Sequence, residues 1–377
     1  MDYQLSDRVN SIQPSPTLAV TQKANELKQQ GHDVIGLGVG EPDFDTPQFI
    51  KDAAIKAIQD GHTKYTAVDG ISELKQAIID KFKRDNQLNY QADEIIVSAG
   101  GKHSIFNLLS AWLNPGDDVV IPAPYWVSYP DMTKLVGANP IIVSAGIEQR
   151  FKITPQQLRD AITPKTRLMF INSPSNPSGT AYTAEELSAL ADVLRDFPHV
   201  LIATDDMYEH ILWPQNTFAN LAMVAPDLKD RIVILSGVSK AYAMTGWRIG
   251  YAAGPKTLIA AMKKIQSQST SNPTSISQYA AAAALNGDQS CIDTMITEFK
   301  KRHDYLVNAL NDIDGIRCVA GDGTFYAFAH IEELMAKAGV STDVALCEKL
   351  LTEAKVALVP GSAFGAEGYC RLSFATS

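Results

Sequence analysis

A lysine and an arginine stand eight positions apart in the otherwise apolar stretch SGVSKAYAMTGWRIGY, residues 236–251. A surface segment usually carries more charge than this, and a core segment usually carries none. A lysine amine can attack a carbonyl group or carry a proton, and a guanidinium can bind a phosphate or a carboxylate. Lys240 and Arg248 are therefore candidates for a reactive amine and an anion-binding cation in one site.

Other residues capable of chemistry follow short apolar runs, at the points where those runs end. Gly100 and Gly101 precede a helical pattern, where bare amides suit a phosphate or carboxylate, although a plain tight turn is the alternative. Asn176 lies in NSPSNPSG, whose prolines indicate a fixed turn. Asp205 and Tyr208 lie in TDDMYEH, where the acid suits a metal ligand, a base or a helix cap.

Two further patterns do not indicate a binding site. GLGVGEP, at Gly36–Pro42, superficially resembles a dinucleotide fingerprint, but Glu41 stands where the third glycine belongs and no βαβ unit precedes the large domain. The four cysteines show no CxxC spacing, and the seven histidines form no paired-ligand pattern. We therefore expect no dinucleotide site, no metal and reduced thiols.

The elements that must position these residues alternate between strands and helices from about residue 50 to 285. Five continuous apolar runs are typical of buried strands: Glu94–Ala99, Asp118–Pro124, Arg167–Ser173, Val200–Asp206 and Arg231–Gly237. The segment Thr183–Phe197 predicts an amphipathic helix that opens with a Thr-x-x-Glu capping box. This order predicts an α/β fold with a mostly parallel sheet covered on both faces, which binds ligands at the carboxyl ends of its strands.

The end of the chain follows a different pattern. A long helical stretch, FKKRHDYLVNALNDI, precedes the strands GTFYAFAH and ALVPGSAF, which indicates a smaller α+β domain. The first 45 residues read as an arm that returns to this smaller unit. We therefore predict a large domain over residues 46–288, and a second unit formed by residues 1–45 and 289–377.

The length and the net charge of the chain limit the classes of function that it could have. The 377 residues carry 33 Lys and Arg against 42 Asp and Glu, and a net charge of −9 argues against a general binder of nucleic acids or anionic membranes. The polar start, MDYQLSDRVN, suggests no export signal, and no apolar run approaches the length of a membrane span. The sequence thus predicts a cytoplasmic protein with small-molecule substrates.

One cofactor, pyridoxal phosphate, needs a lysine amine, an acid beside its ring nitrogen, donors to its phenolate oxygen and a phosphate cradle. The chain closely resembles the fold-type I aminotransferases, which use it: GVSKAYAMTGWRIG fits the lysine motif of the aspartate aminotransferase class at every position. Further matching segments, in the family's order, are GVGEPDFDTP, TKYTAVDG, PYWVSYP, NSPSNPSGT and VPGSAFG…RLSFATS. The resemblance covers essentially the whole chain, and the bacterial aspartate aminotransferases are its most similar branch.

This resemblance implies a role for each matching residue. Lys240 is the Schiff-base lysine, and Arg248 is the partner of the cofactor phosphate. Asp205 pairs with the ring nitrogen and keeps it protonated, while Asn176 and Tyr208 bond the phenolate oxygen. The catalytic residues implied in this way are Lys240, Asp205 and Tyr208.

The resemblance also implies a cofactor pocket, a substrate pocket and a homodimer. The cofactor-binding residues that it implies are Gly100, Gly101, Lys102, Trp126, Asn176, Asp205, Tyr208, Ser239, Lys240, Arg248 and Tyr65. Among these, Trp126 stacks on the ring, and Tyr65 reaches the phosphate of the neighbouring subunit, so that activity requires a homodimer. The substrate-binding residues implied are Gly40, Lys102, Trp126, Asn176 and Arg371, of which Arg371 forks onto the α-carboxylate.

The mechanism implied is ping-pong transamination. An amino acid displaces Lys240, and the freed lysine then moves a proton as general base and acid. Hydrolysis releases one keto acid, and a second keto acid returns the amino group to complete the cycle.

Substrate specificity depends on a second cation for a dicarboxylate. One branch of the family uses an arginine from the loop after the lysine motif, but this chain has no arginine between Arg248 and Arg302. The branch that the chain resembles uses Lys102 instead, which favours aspartate with 2-oxoglutarate. Some members also transaminate prephenate; Thr66 and Lys102 fit that subset, whereas Gln13 replaces its usual lysine. A preference for alanine or aromatic amino acids is a further alternative.

Two other function classes remain open. A cofactor-sensing regulator with an aminotransferase-like domain has an additional N-terminal DNA-binding domain, whereas this chain enters the family pattern within its first twenty residues. A lyase or decarboxylase on the same fold differs in releasing ammonia or carbon dioxide. The family normally continues past SFATS with an amphipathic helix, so that either the sequence is trimmed at Ser377 or the smaller unit lacks part of its packing.

Overall fold

The computed structural model describes residues 3–376 of the chain. Among these residues, no helix is both long and apolar enough to cross a lipid bilayer. The strands in this part of the chain are β1 Ile35–Gly36, β2 Ile95–Ser98, β3 Asp118–Ala123, β4 Asn139–Ser144, β5 Thr166–Asn172, β6 Leu201–Asp205, β7 Ile232–Gly237, β8 Gly250–Ala253, β9 Arg317–Cys318, β10 Tyr326–His330, β11 Val356–Ala357, β12 Val359–Pro360 and β13 Tyr369–Ser373.

Helices connect most of these strands. The α-helices are α1 Asp7–Asn10, α2 Pro16–Gln29, α3 Gln48–Gln59, α4 Ser72–Asn86, α5 Gly101–Trp112, α6 Ser128–Leu135, α7 Pro155–Ala161, α8 Ala184–Arg195, α9 Leu221–Val224, α10 Lys256–Ser267, α11 Ser275–Asn286, α12 Ser290–Asn311, α13 Glu332–Lys337 and α14 Asp343–Lys349. The capping box predicted for α8 is confirmed, because the Thr183 hydroxyl accepts from the Glu186 amide at 3.2 Å and the Glu186 carboxylate accepts from the Thr183 amide at 2.8 Å.

A seven-stranded sheet forms the larger layer, in the order β2-β8-β7-β6-β5-β3-β4. The pairs from β7 to β4 are parallel, whereas β8 runs antiparallel to both β2 and β7. The predicted mostly parallel sheet is therefore confirmed, and β4 and β8 add to the five strands that the sequence predicts. The carboxyl ends of β5, β6 and β7 lie side by side at one edge.

Helices cover both faces of this sheet, as the alternating pattern predicts. One apolar core packs α4, α8 and α11 against one face, through residues such as Phe82, Leu190 and Ala281. The other core packs α5, α6 and α10 against the opposite face, through residues such as Leu108 and Met262. Burial on both faces holds the strand ends, and the side chains that follow them, in fixed positions.

A four-stranded antiparallel sheet, β12-β13-β10-β9, forms the smaller layer, and α12 packs on it. The N-terminal arm returns to this region: Ile35 and Gly36 in β1 pair in parallel with Val356 and Ala357 in β11. The boundaries that the sequence places at residues 46 and 288 stay a prediction.

Candidate active site

A cavity of about 300 Å³ opens where β5, β6 and β7 end. Eleven of the residues that the sequence singles out line it: Gly40, Gly101, Lys102, Trp126, Asn176, Asp205, Tyr208, Ser239, Lys240, Arg248 and Arg371. The strand-end rule for parallel sheets explains the contributions from β5, β6 and β7. Gly101 and Lys102 come from the start of α5, and Trp126 comes from the loop between β3 and α6, whereas Arg371 comes from the smaller layer and Gly40 from the arm.

Lys240 follows β7 and is half-buried in the cavity wall, where its Nζ donates a hydrogen bond to the carbonyl oxygen of Gly40 at 2.6 Å. Burial lowers the pKa of the amine to about 8, against the partly opposing charge of Glu41. Near pH 8 a substantial fraction of this amine is uncharged, which is the form that attacks a carbonyl or accepts a proton.

Asp205 is the last residue of β6, and its carboxylate is buried. The Tyr129 hydroxyl donates to Oδ2 at 2.5 Å, and the Met207 amide donates to Oδ1 at 3.3 Å. Burial raises the pKa of Asp205 to about 6, and the Tyr129 hydrogen bond opposes that rise. At neutral pH the Asp205 carboxylate is therefore mostly ionised, and it places a negative charge in the cavity that also contains the Lys240 amine.

The glycine turn after β2 forms an anion cradle with Arg248. Gly100 has φ +94° and caps α5, and a Cβ there would lie only 2.2 Å from Nη2 of Arg248. Arg248 itself adopts φ +56°, and its Nη1 donates to the carbonyl oxygen of Thr245 at 2.8 Å. The helix N-terminus, the guanidinium and the nearby Ser239 together present the donors that a phosphate group requires.

Arg371 supplies a second guanidinium, from β13 of the smaller layer. It is only 2% exposed, and it donates to Asn176 Oδ1 at 2.9 Å and to the carbonyl oxygen of Gly38 at 2.7 Å. Its Nε has no hydrogen-bond partner among the described residues. A buried guanidinium with an unsatisfied donor in a cavity is suited to a carboxylate.

Tyr208 and Tyr326 meet at the junction of the two layers, with their hydroxyl oxygens 3.0 Å apart. Burial raises the pKa of Tyr208 well above its ordinary value, so that its phenol stays protonated at neutral pH. Gly40 approaches the same place, since a Cβ on it would lie 2.5 Å from the Tyr326 hydroxyl. The cavity thus has little room for a side chain at position 40.

Lys102 lies on the first turn of α5, with its Nζ 5.0 Å from the centre of the Trp126 ring. Lys102 is exposed in the single chain, yet partial desolvation of its ammonium lowers its pKa, and the nearby charge of Arg248 lowers it further. The two cations Lys102 and Arg371 therefore belong to the wall of the same cavity.

Two residues predicted from the sequence, Gly100 and Tyr65, are not among those that line the cavity; Gly100 lies next to it in the turn before α5, whereas Tyr65 lies on the surface. Its side chain is 92% exposed in the single chain. The structure therefore brings together the residues of one chain and leaves Tyr65 on the surface.

Sequence reasoning missed several residues of the site. Tyr129 and Tyr326 contact the predicted residues directly, and Ser15 and Thr17 line the cavity from the arm. Tyr129 stands three positions after Trp126, so the helical spacing of PYWVSYP was the available signal. No comparable signal marked the arm, which precedes the first strand of the large sheet.

The assembled groups fit pyridoxal phosphate. Lys240 provides the amine, Asp205 the acid, Asn176 and Tyr208 the amide and hydroxyl, and the turn with Arg248 the phosphate cradle. In residues 3–376 there is no cluster of three or more His, Cys, Asp or Glu side chains placed to hold a metal ion. An amine, an acid, an amide, a hydroxyl and a phosphate cradle together suit an organic phosphate that bears a carbonyl group.

Comparison with known proteins gives a match over most of the chain. Residues 32–377 match the family model described as aminotransferase class I and II. The aspartate/prephenate aminotransferase of Nitrosomonas europaea is 60% identical over 99% of this chain and 96% of its own length. Identity at this level over full length implies a shared fold.

Solved structures agree with this match. The crystal structure of the aspartate aminotransferase from Rhizobium meliloti has a TM-score of 0.96 at 48% identity, covering 100% of this chain and 95% of that one. The aspartate aminotransferase from Thermus thermophilus with maleate has a TM-score of 0.93 at 41% identity, covering 100% of this chain and 96% of that one.

Proposed function

The chain belongs to the class I and II aminotransferase family, and on that premise we propose that it transfers the amino group between L-aspartate and 2-oxoglutarate. It is an aminotransferase that depends on pyridoxal phosphate. Its products with these substrates are oxaloacetate and L-glutamate.

The observation that carries the choice of aspartate is the pair of cations in one cavity. Arg371 is suited to the α-carboxylate because it is buried with a free Nε, and Lys102 offers an ammonium to a second carboxylate. The Thermus thermophilus relative is described with maleate, a molecule with two carboxylates. A substrate with a carboxylate at each end neutralises both cations.

Each of these side chains then has a proposed role in the chemistry. Pyridoxal phosphate, when bound, supplies the carbonyl carbon that accepts the amino group and a ring that withdraws electrons from it. Lys240 would hold the bound cofactor through its amine and would carry the proton released from the substrate Cα. Asp205 would keep a proton on the ring nitrogen, and Tyr208 and Asn176 would donate hydrogen bonds to the phenolate oxygen.

We further propose a homodimer with shared active sites. Gly100, Gly101, Ser239 and Arg248 hold the phosphate within one subunit, and Tyr65 contacts the phosphate of the neighbouring subunit. The 92% exposure of Tyr65 is compatible with this role, because its side chain is accessible to a second subunit. A cytoplasmic location stays a prediction from the sequence.

A second candidate substrate is prephenate, which also has two carboxylates. The Nitrosomonas europaea relative is named for both substrates, and Lys102 is the cation that either of them would meet. Gln13, which replaces the lysine usual in that subset, weighs against it. The two activities are compatible with one site.

Steady-state assays with purified protein test the proposal. Aspartate and 2-oxoglutarate should give oxaloacetate and glutamate with the parallel double-reciprocal lines of a ping-pong mechanism. Aspartate alone should give one equivalent of oxaloacetate per subunit. Release of ammonia or carbon dioxide instead would assign a lyase or a decarboxylase, and prephenate in the same assay decides the second candidate.

A further inference from the structure

The segment that carries Tyr65 is fixed at its base although its tip is exposed. We call residues 65–70 the Tyr65 loop. Asp69 is held by Lys75 and Lys263, and its carbonyl oxygen accepts from the Val97 amide at 3.0 Å. Gly70 has φ +105°, and a Cβ on it would lie 2.6 Å from Val97, so no other residue fits this turn without strain. An exposed tyrosine thus extends from a rigid base.

Gln278, on α11, forms hydrogen bonds near both ends of this loop, at Thr66 and at Ile71. Its side chain is fully buried, and its Oε1 accepts from the Ile71 amide at 2.8 Å. Its Nε2 donates to Oγ1 of Thr66 at 3.1 Å and to the carbonyl oxygen of Pro273 at 2.9 Å. One of these three hydrogen bonds restrains Thr66, the residue next to Tyr65, and the other two fix the amide itself.

Gln266, on α10, joins the same loop to the phosphate cradle. It is also fully buried, and its Nε2 donates to the carbonyl oxygens of Val68 at 2.6 Å and of Val97 at 2.8 Å. Its Oε1 accepts from Oγ of Ser98 at 2.7 Å and from Nδ2 of Asn107 at 2.9 Å. Ser98 ends the strand before the Gly100 turn, and Asn107 lies on the helix after it.

We propose that Gln266 is a positioning residue for two phosphate contacts at once: the cradle of its own subunit and the Tyr65 contact with the neighbouring subunit. Gln278 is a positioning residue for the Tyr65 loop alone. The proposal for the loop rests on the dimer proposed above, whereas the proposal for the cradle does not. All four hydrogen-bonding positions of the Gln266 amide are used, so any other side chain leaves buried polar groups without partners.

The test compares binding of two ligands to the cofactor-free protein: pyridoxal phosphate and pyridoxal, which lacks the phosphate. The ratio of their dissociation constants, measured by fluorescence titration, reports the phosphate contacts separately from general stability. Gln266→Met should lower this phosphate preference about tenfold or more, because misplaced donors lose most of a charge-assisted hydrogen bond. Ser98→Ala, a smaller change, should lower it in the same direction through the cradle alone.

Gln278→Met should lower the preference less, and combining it with Tyr65→Phe should add nothing, because both changes act on the same contact. Gln157→Met is the control: its amide also joins several groups, but at α7, away from the cavity. Equal losses for both ligands in Gln266→Met and Ser98→Ala would overturn the cradle proposal. An unchanged preference in Tyr65→Phe would overturn the contact between subunits and leave both the cradle proposal and transamination standing.

Discussion

The phenol of Tyr129 donates a hydrogen bond to the carboxylate of Asp205 at 2.5 Å, and both side chains are buried. Tyr129 is held in place by stacking on Phe170, with ring centres 4.4 Å apart. Burial alone would favour the neutral carboxylic acid, whereas the phenol donor favours the carboxylate. Tyr129 therefore helps to keep charged the residue proposed to face the ring nitrogen.

Replacing Tyr129 with phenylalanine should move the acid limb of the kcat/KM profile to higher pH. The ionised form of Asp205 loses a donor, so its pKa rises further above about 6 and a larger fraction is protonated near neutrality. Measuring kcat/KM from pH 5 to 9 checks this. Tyr182→Phe, which removes another buried hydroxyl at 2.9 Å from the Ile153 amide, is the control and should leave the limb in place. An unshifted limb in Tyr129→Phe would contradict the role.

Lys240 should hold the cofactor covalently. Borohydride treatment of the yellow protein should fix the label on the peptide that contains Lys240, and mass spectrometry identifies that peptide. Because burial lowers the amine pKa to about 8, capture of cofactor by the cofactor-free protein should speed up as pH rises toward 8 and then level off. A label on any other lysine, or a rise that continues to pH 10, would count against the assignment.

Asp205→Ala should lower turnover by orders of magnitude, since an electrostatic partner of this kind contributes several kcal/mol in the transition state. Asp206 offers a neighbouring control. Its carboxylate accepts hydrogen bonds from Thr204 and Asn220 instead of lining the cavity, and burial raises its pKa to about 8. Asp206→Asn should therefore change kcat little. Near-normal turnover in Asp205→Ala would reduce that acid to a structural role.

Lys102→Ala should lower kcat/KM for aspartate about ten- to a hundredfold, because a charge-assisted hydrogen bond contributes about 1.5–3 kcal/mol. Alanine as substrate should be unaffected, since it has no second carboxylate. Loss of a phosphate contact would instead weaken all substrates together and release cofactor on dialysis. An equal drop for aspartate and alanine would therefore assign Lys102 to the cofactor and not to substrate choice.

Much of the large layer follows from the sequence, because the five predicted strands, β2, β3, β5, β6 and β7, are almost entirely buried and read as continuous apolar runs. The two strands that escaped prediction have physical reasons. In β4, which opens with Asn139 and Pro140 at the sheet edge, only Val143 is fully buried. In β8, Gly250 must be small because a Cβ on it would lie 2.2 Å from the Gly101 amide nitrogen. Because close packing requires small residues in β8, the strand lacks the branched side chains by which a strand is recognised in a sequence.

For the candidate site, the family and the cofactor were predictable from the sequence, whereas several contacts between side chains were not. The family and the cofactor inferred from the motifs are confirmed by the match over residues 32–377 and by the relatives. The strand-end rule alone brings Asp205 and Lys240 together. The strand-end rule does not predict that Arg371 joins the site, because Arg371 lies 195 positions from its partner Asn176 and belongs to another sheet. The rule also does not predict the contact of Tyr129 with Asp205, which lies 76 positions further along the chain. Such contacts depend on the packing of the whole fold.

The pairing of Ile35–Gly36 with Val356–Ala357 bears on how the protein matures during synthesis. The strands of the large sheet all lie between residues 95 and 253, so that layer can form while the ribosome is still translating the rest. The first strand, however, waits tens of seconds for its partner at ordinary rates of translation. Arg371 arrives later still. The nascent chain therefore has its lysine pocket before it has the Arg371 guanidinium proposed to bind the substrate, and we expect catalytic competence only after synthesis has passed Arg371.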